Sequence, residues 1–161
     1  MQQIRFRGKP CYMGGNQSAW VYGTFQYIAQ RRVRPGATDN GTLEPRNDKG
    51  RIVDLYGTET EVLCDTVGQY TGLHDRKDHE IYDGDIIFVE FADKSGGNQL
   101  VGWNEETASW GIMSTYEYQS LMDGDDWPEF KNHTLLAFLK HAIVCEVVGN
   151  IHDNPELLKE Y

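Results

Sequence analysis

The sequence predicts a mainly β protein built as a small barrel or sandwich. Three observations carry that prediction: short β-branched and aromatic runs recur along the 161 residues, Gly and Asp turns separate them, and helical spacing is confined to brief stretches. An aromatic share of 12% supplies large apolar side chains for a packed core and argues against a disordered chain.

The elements follow in order. Ile4-Arg5-Phe6-Arg7 alternates apolar and basic residues, as a strand with one wet face does. Gly14-Gly15-Asn16 marks a turn, and Trp20 to Ala29, rich in aromatic and β-branched residues, reads as the second strand. From Arg31 to Gly50 the chain collects Pro35, Gly36, Gly41, Pro45 and Gly50, so loops or a wide hairpin are expected there. Arg51–Tyr56 and Glu61–Cys64 are candidate short strands, and Asp65–Glu80 is expected to be turn-rich and polar. After the tight turn at Asp83-Gly84, Ile86–Phe91 is apolar on both faces over its first four residues. Such a strand is covered on one side by the core and on the other by another element or subunit. Ser95–Asn98 turns the chain. Val101 with Trp103, and Trp110 with Ile112, then mark two strands joined by an exposed loop. Residues 114–133 are expected to be irregular and acidic. Thr134 caps a short helix through Leu135, Phe138 and Leu139, with Lys140 and His141 suited to its C-terminal end. Ile143–Val148 is a β-prone run, and Asn154-Pro155 opens a final helical turn as N-cap and first helical residue.

Charge is distributed unevenly. The formal net charge is −10, which argues against wholesale attraction to nucleic acid or an anionic membrane. Residues 1–51 nevertheless hold nine Lys or Arg against three acids, +6, leaving −16 on the other 110 residues. That split can hold lobes or neighbouring copies together or give the chain a basic and an acidic face; the alternative is that both sets are simply solvated. No apolar run reaches the roughly 18 residues of a membrane span. The start, Met1 to Arg7, lacks the apolar core of a signal peptide. Cys11, Cys64 and Cys145 are an odd, widely spaced set suited to a reducing compartment, so the expected location is the cytoplasm.

Residue types suited to chemistry occur, in spacings that argue against it. His74-Asp75-Arg76-Lys77-Asp78-His79-Glu80 gathers possible metal ligands, yet its histidines are five apart and two cations lie between them, so a solvated turn is expected. Asp123-Gly124-Asp125-Asp126 lacks the order of a calcium loop, with Pro128 at the sixth place. Cys145 and Cys64 look like buried small hydrophobes, and Cys11 has no histidine close in sequence. Glu105-Glu106 reads as a solvated pair. Arg5, Arg7, Arg31, Arg32 and Arg34 share a region with Trp20, Tyr22, Phe25 and Tyr27, a mix that can track phosphates and stack bases, although strand spacing suits core packing as well. No catalytic residue, cofactor site or metal site is assigned.

Several phrases stand in a fixed order: Ile4-Arg5-Phe6-Arg7-Gly8, Trp20-Val21-Tyr22-Gly23, Thr66-Val67-Gly68-Gln69-Tyr70-Thr71-Gly72-Leu73-His74-Asp75, Glu80-Ile81-Tyr82-Asp83-Gly84-Asp85-Ile86-Ile87, and Glu146-Val147-Val148-Gly149-Asn150-Ile151-His152-Asp153-Asn154-Pro155-Glu156-Leu157-Leu158. Together they resemble the YopX family, small proteins encoded by bacteriophages and prophages, from near residue 4 to residue 158. The resemblance implies an SH3-type β-barrel and a phage or prophage origin; it does not by itself imply a catalytic activity, because the family has no settled molecular function. Residues 31–65 and 114–140 match none of its phrases, so roles peculiar to this chain are expected there. Read physically, Gly68, Gly72 and Gly84 suit turns, Asp83, Asp85 and Asn154 close turns or caps, and Tyr70, Leu73, Ile81 and Tyr82 pin the central link onto the barrel.

The expected organisation is a β-rich N-terminal lobe with long loops over residues 1–72 and an SH3-like barrel over 73–161 that ends in a short helical turn. The expected function is that of a non-catalytic, self-associating interaction module with an unknown host or phage protein as a further partner. The alternatives are an acidic DNA mimic using the −16 portion, direct nucleic-acid binding by the arginine-rich lobe, and, last, an enzyme with a site assembled from distant residues.

Overall fold

A computed structural model describes residues 4–11, 19–27, 49–123 and 134–159, and β-structure dominates them. The chain divides into two units, Gln3–Gly68 and Gln69–Tyr161. The expected turn at Gly14-Gly15-Asn16, the loop region 31–48 with its arginines, and the acidic run 124–126 lie outside the described residues. Among the described residues no helix is long and apolar enough to cross a membrane.

In the N-terminal unit, β1 (Phe6–Gly8), β2 (Val21–Tyr27), β3 (Lys49–Val53) and β4 (Glu59–Leu63) pair antiparallel in sequence order. The chain leaving β1 then returns to the far margin of β4. Leu63 N donates to Lys9 O (3.0 Å) and Cys11 N to Glu61 O (2.9 Å), so the hydrogen bonds run round a closed ring. Gly8 permits the bend between the two pairings, because a Cβ there would stand 3.1 Å from Val62 Cβ. Ile52 and Val62 fill the ring, and Phe25 lies where Gly50 has no side chain to obstruct it. A 3-10 turn, Cys64–Thr66, ends the unit, and Thr66 Oγ1 accepts Lys9 N (2.9 Å) and donates to Leu63 O (2.7 Å).

The second unit contains β5 (Gly68–His74, its first residue at the boundary), β6 (Glu80–Tyr82), β7 (Asp85–Glu90), β8 (Gly96–Asn104), β9 (Ser109–Ser114), α1 (Thr115–Met122), α2 (Leu135–His141) and β10 (Val144–Asn150). A 3-10 turn, Pro155–Leu158, follows β10. Four strands form an antiparallel sheet in the order β10-β7-β8-β9. On one face Ile87, Val89, Val101, Ile112 and Cys145 meet Leu135, Ala142 and Ile81, with Phe138 and Leu139 of α2 packed alongside. On the other face Ile86, Leu100 and Met113 are covered by Leu158, Leu157 and Ile151, and by Tyr118 of α1. Ile86, Ile87 and Val89 of the two-sided apolar strand are therefore covered by the chain's own elements, and Phe88 is left exposed.

Several local expectations need correction. The stretch 65–80, read as turns, contains β5, whose ladder to β6 is interrupted between Tyr70 and His74, where Gly72 takes a φ of 82°. The stretch from residue 114, read as irregular, holds α1. Glu117 Oε2 accepts Ser114 N and Ser114 Oγ (both 2.8 Å), and Ser114 Oγ accepts Glu117 N (3.3 Å), a reciprocal capping box. The strand expected to reach Tyr56 stops at Val53, because Asp54 Oδ1 accepts the amides of Tyr56 and Thr58 (both 2.8 Å) and turns the chain. The turn placed at Ser95–Asn98 closes earlier, with Phe91 N donating to Ser95 O (2.8 Å), and β8 begins at Gly96. Thr134 caps α2 as expected, accepting Ala137 N at 3.3 Å. Asn154 makes no side-chain cap bond to the turn it precedes; its side chain lies against Gly149 instead.

Candidate functional site

The run from His74 to Glu80 forms the turn between β5 and β6 and is held by one buried carboxylate. Asp75 has no exposed side-chain surface. Its Oδ1 accepts Lys77 N (2.8 Å) and His79 N (2.9 Å), and its Oδ2 accepts Val147 N (2.9 Å) and meets His79 Nδ1 (3.1 Å). Burial pushes the Asp75 pKa up, but the amides of Val147, His79 and Lys77 together with the His79 ring outweigh it, and the net shift is downward. Arg76 N donates to Cys145 O (3.1 Å), and the Arg76 guanidinium reaches the carbonyls of Leu139 (3.2 Å) and Ala142 at the end of α2. Lys77 Nζ pairs with Glu146 Oε2 at 2.6 Å. The two histidines diverge: His79 turns to Asp75, while His74 Nδ1 lies 3.2 Å from Tyr70 Oη. Among the described residues no three His, Cys, Asp or Glu side chains converge as metal ligands.

A second polar corner joins the start of β7 to the end of β10, where Asp85 is the register partner of Asn150. Gly84, at φ 80°, donates its amide to Val101 O (3.0 Å) and accepts Ile151 N (2.9 Å). Asp85 Oδ2 accepts Tyr82 N at 2.7 Å. Asn150 Oδ1 accepts His152 N (3.0 Å) and Asp153 N (2.9 Å), and its Nδ2 donates to Asp153 Oδ2 (2.9 Å). Ile81 and Tyr82 are buried here, the Tyr70 and Tyr82 rings meet at a tilt of 44° with centroids 5.5 Å apart, and Tyr82 Oη donates to Glu80 (2.6 Å). The central and terminal phrases of the sequence are thus two halves of one fastening.

A family model described as YopX protein matches residues 18–159, nearly the whole chain. The chain belongs to the YopX family. A search of curated proteins finds no match. In this YopX chain Asp75, Asp85 and Asn150, which lie in those phrases, accept backbone amides, so their placement is explained by turn chemistry.

The remaining candidate residues of the YopX chain are dispersed. The Cys145 thiol is pushed up to about 11, first by burial and then by the Asp75 charge, which makes it a poor nucleophile. Cys11 and Cys64 are both half-buried. Of the basic and aromatic set, Arg7 is buried with its guanidinium 4.6 Å from the Trp20 centroid, and Lys9 Nζ stands 5.5 Å from the same ring. Phe25 packs on Phe6 and Tyr27 (5.7 and 4.8 Å), leaving Tyr22 and Tyr27 as the exposed aromatics. Glu61 is the register partner of Arg51, and Arg51 is paired with Glu59 at 2.8 Å, so acids sit among the cations of this unit. Sequence reading missed Asp75 as a buried anchor, because one of its donors, Val147, lies 72 residues away.

Proposed function

We propose that this YopX-family chain is a non-catalytic interaction module of phage or prophage origin that associates with itself, and that its C-terminal unit is an SH3-type barrel. The observation that carries this reading is the direction of the polar atoms: Asp75, Asp85 and Asn150 serve backbone amides rather than an open cleft. Residues shared across the family phrases then maintain a scaffold, and the working part is its surface. Counted by unit, Gln3–Gly68 carries nine cations and seven acids, +2, while Gln69–Tyr161 carries six cations and eighteen acids, −12. This division is softer than the split at residue 51, because Asp54, Glu59, Glu61 and Asp65 belong to the first unit. Copies are expected to meet through the acidic surface of one and the basic residues of the next. Light scattering tests this: association at low salt that dissolves at high salt supports it, and a monomer in both refutes it.

A second reading is favoured by the −12 of the C-terminal unit: an acidic surface that occupies a basic, nucleic-acid-binding partner. Affinity capture from host lysate that returns no basic protein rejects it.

A further inference from the structure

We propose that the Asp75–His79 turn is a detachable cover over the outer margin of β10, and that β10, once uncovered, pairs with the β10 of a second copy. β10 is an end strand of its sheet, and an end strand offers unpaired peptide groups to any extended chain. Here the turn occupies that margin on either side of Glu146. Arg76 N–H donates to Cys145 O, and the Asp75 carboxylate accepts Val147 N–H. In an antiparallel self-pairing centred on Glu146, Cys145 faces the Val147 of the other copy. The partner's Val147 N–H then takes the place of Arg76 N–H, and the partner's Cys145 carbonyl takes the place of the Asp75 carboxylate. The turn already makes two of the four hydrogen bonds that a second strand would make here.

The cover is held by polar contacts. Arg76, Lys77, Asp78 and His79 are exposed, Lys77 is tied to Glu146 by a surface ion pair, and Asp78 sits at φ 67°, a conformation L residues adopt reluctantly. Beneath it runs Val144-Cys145-Glu146-Val147-Val148, a strongly β-prone segment. Of residues 75–79 only Asp75 is buried, so release of the turn breaks mainly polar contacts, which places it among the low-cost openings of a fold. Self-pairing also sets Glu146 opposite the Glu146 of the second copy, a repulsion that salt relieves. This dependence is opposite to that of the charge-driven association proposed above, so either can fail without the other.

The test uses the full chain, wild type and Asp75→Asn, near neutral pH. Amide exchange at Val147, measured in dilute solution against Ile87 as internal standard, is expected to accelerate at least about tenfold in the variant. Light scattering is expected to show the variant moving from 18.4 kDa toward twice that mass as concentration and salt rise together. Unchanged exchange at Val147 overturns the cover, and faster exchange in a variant that stays monomeric at every salt overturns the strand pairing. If Asp75→Asn does not fold, Lys77→Glu takes its place by setting a like charge against Glu146. Loosening at Val147 that is reversed by Lys77→Glu with Glu146→Lys supports the proposal, and no loosening refutes it.

Discussion

Ala108 holds a φ of 46°, a left-handed conformation that costs an L side chain about 1 kcal/mol or more. It lies in the β8–β9 hairpin, where Asn104 Oδ1 accepts Thr107 N (3.0 Å) and Trp103 meets Trp110 edge-to-face at 5.1 Å. Ala108→Gly is expected to stabilise the protein by about 1 kcal/mol, read as a higher urea midpoint at unchanged slope. Gly50 presents the opposite case, because a methyl group there would overlap the Phe25 ring. Gly50→Ala is expected to cost about 1 to 3 kcal/mol in the same titration. Such residues are legible in sequence only when the cause is local. Asp83-Gly84 announces its turn by composition, whereas the packing of Phe25 over Gly50 requires two strands to be in register first.

Elements follow the same rule. α2 was legible because Thr134 caps it and apolar residues follow at helical spacing. α1 carries its own signal, Ser114-Thr115-Tyr116-Glu117, but the acidic residues beyond it obscured that box. Glu117→Ala is expected to cost about 1 kcal/mol, measured by urea unfolding followed through far-ultraviolet dichroism. β5 was hidden because Gly68 and Gly72 interrupt its pattern. The Asp75 turn adds a pH dependence. Its carboxyl lies below 3.8 when folded, so on acidification the unfolded chain takes up the proton first. The stability it contributes is complete well above pH 3.8 and falls away as the pH drops through that value and below. Asp75→Asn is therefore expected to be less stable than wild type at neutral pH, with the gap narrowing below pH 3.8; urea midpoints across the acid range check it.

For the molecule as a whole, β class and family were readable, because alternation and the order of the shared phrases survive in one sequence. Strand partners were not, since closure of the first unit depends on Lys9–Cys11 meeting β4 some fifty residues later. The charge balance was legible in total, but the count cut at Arg51 overstates the contrast between the units, because the first unit runs on to Gly68 and takes in Asp54, Glu59, Glu61 and Asp65. With a net charge of −10 and Glu59 paired to Arg51, a titration with duplex DNA at low salt is expected to show no binding. Retardation that weakens steeply with salt would restore the arginine-rich region as a nucleic-acid surface. The ring in the first unit has a kinetic corollary. One short segment serves two neighbours, so its arrival is a late, long-loop step in assembly and its departure undoes both contacts together. A chain shortened past Cys11 would lose the seam of that ring rather than a dispensable tail, leaving β2 and β4 each with a bare margin open to aggregation.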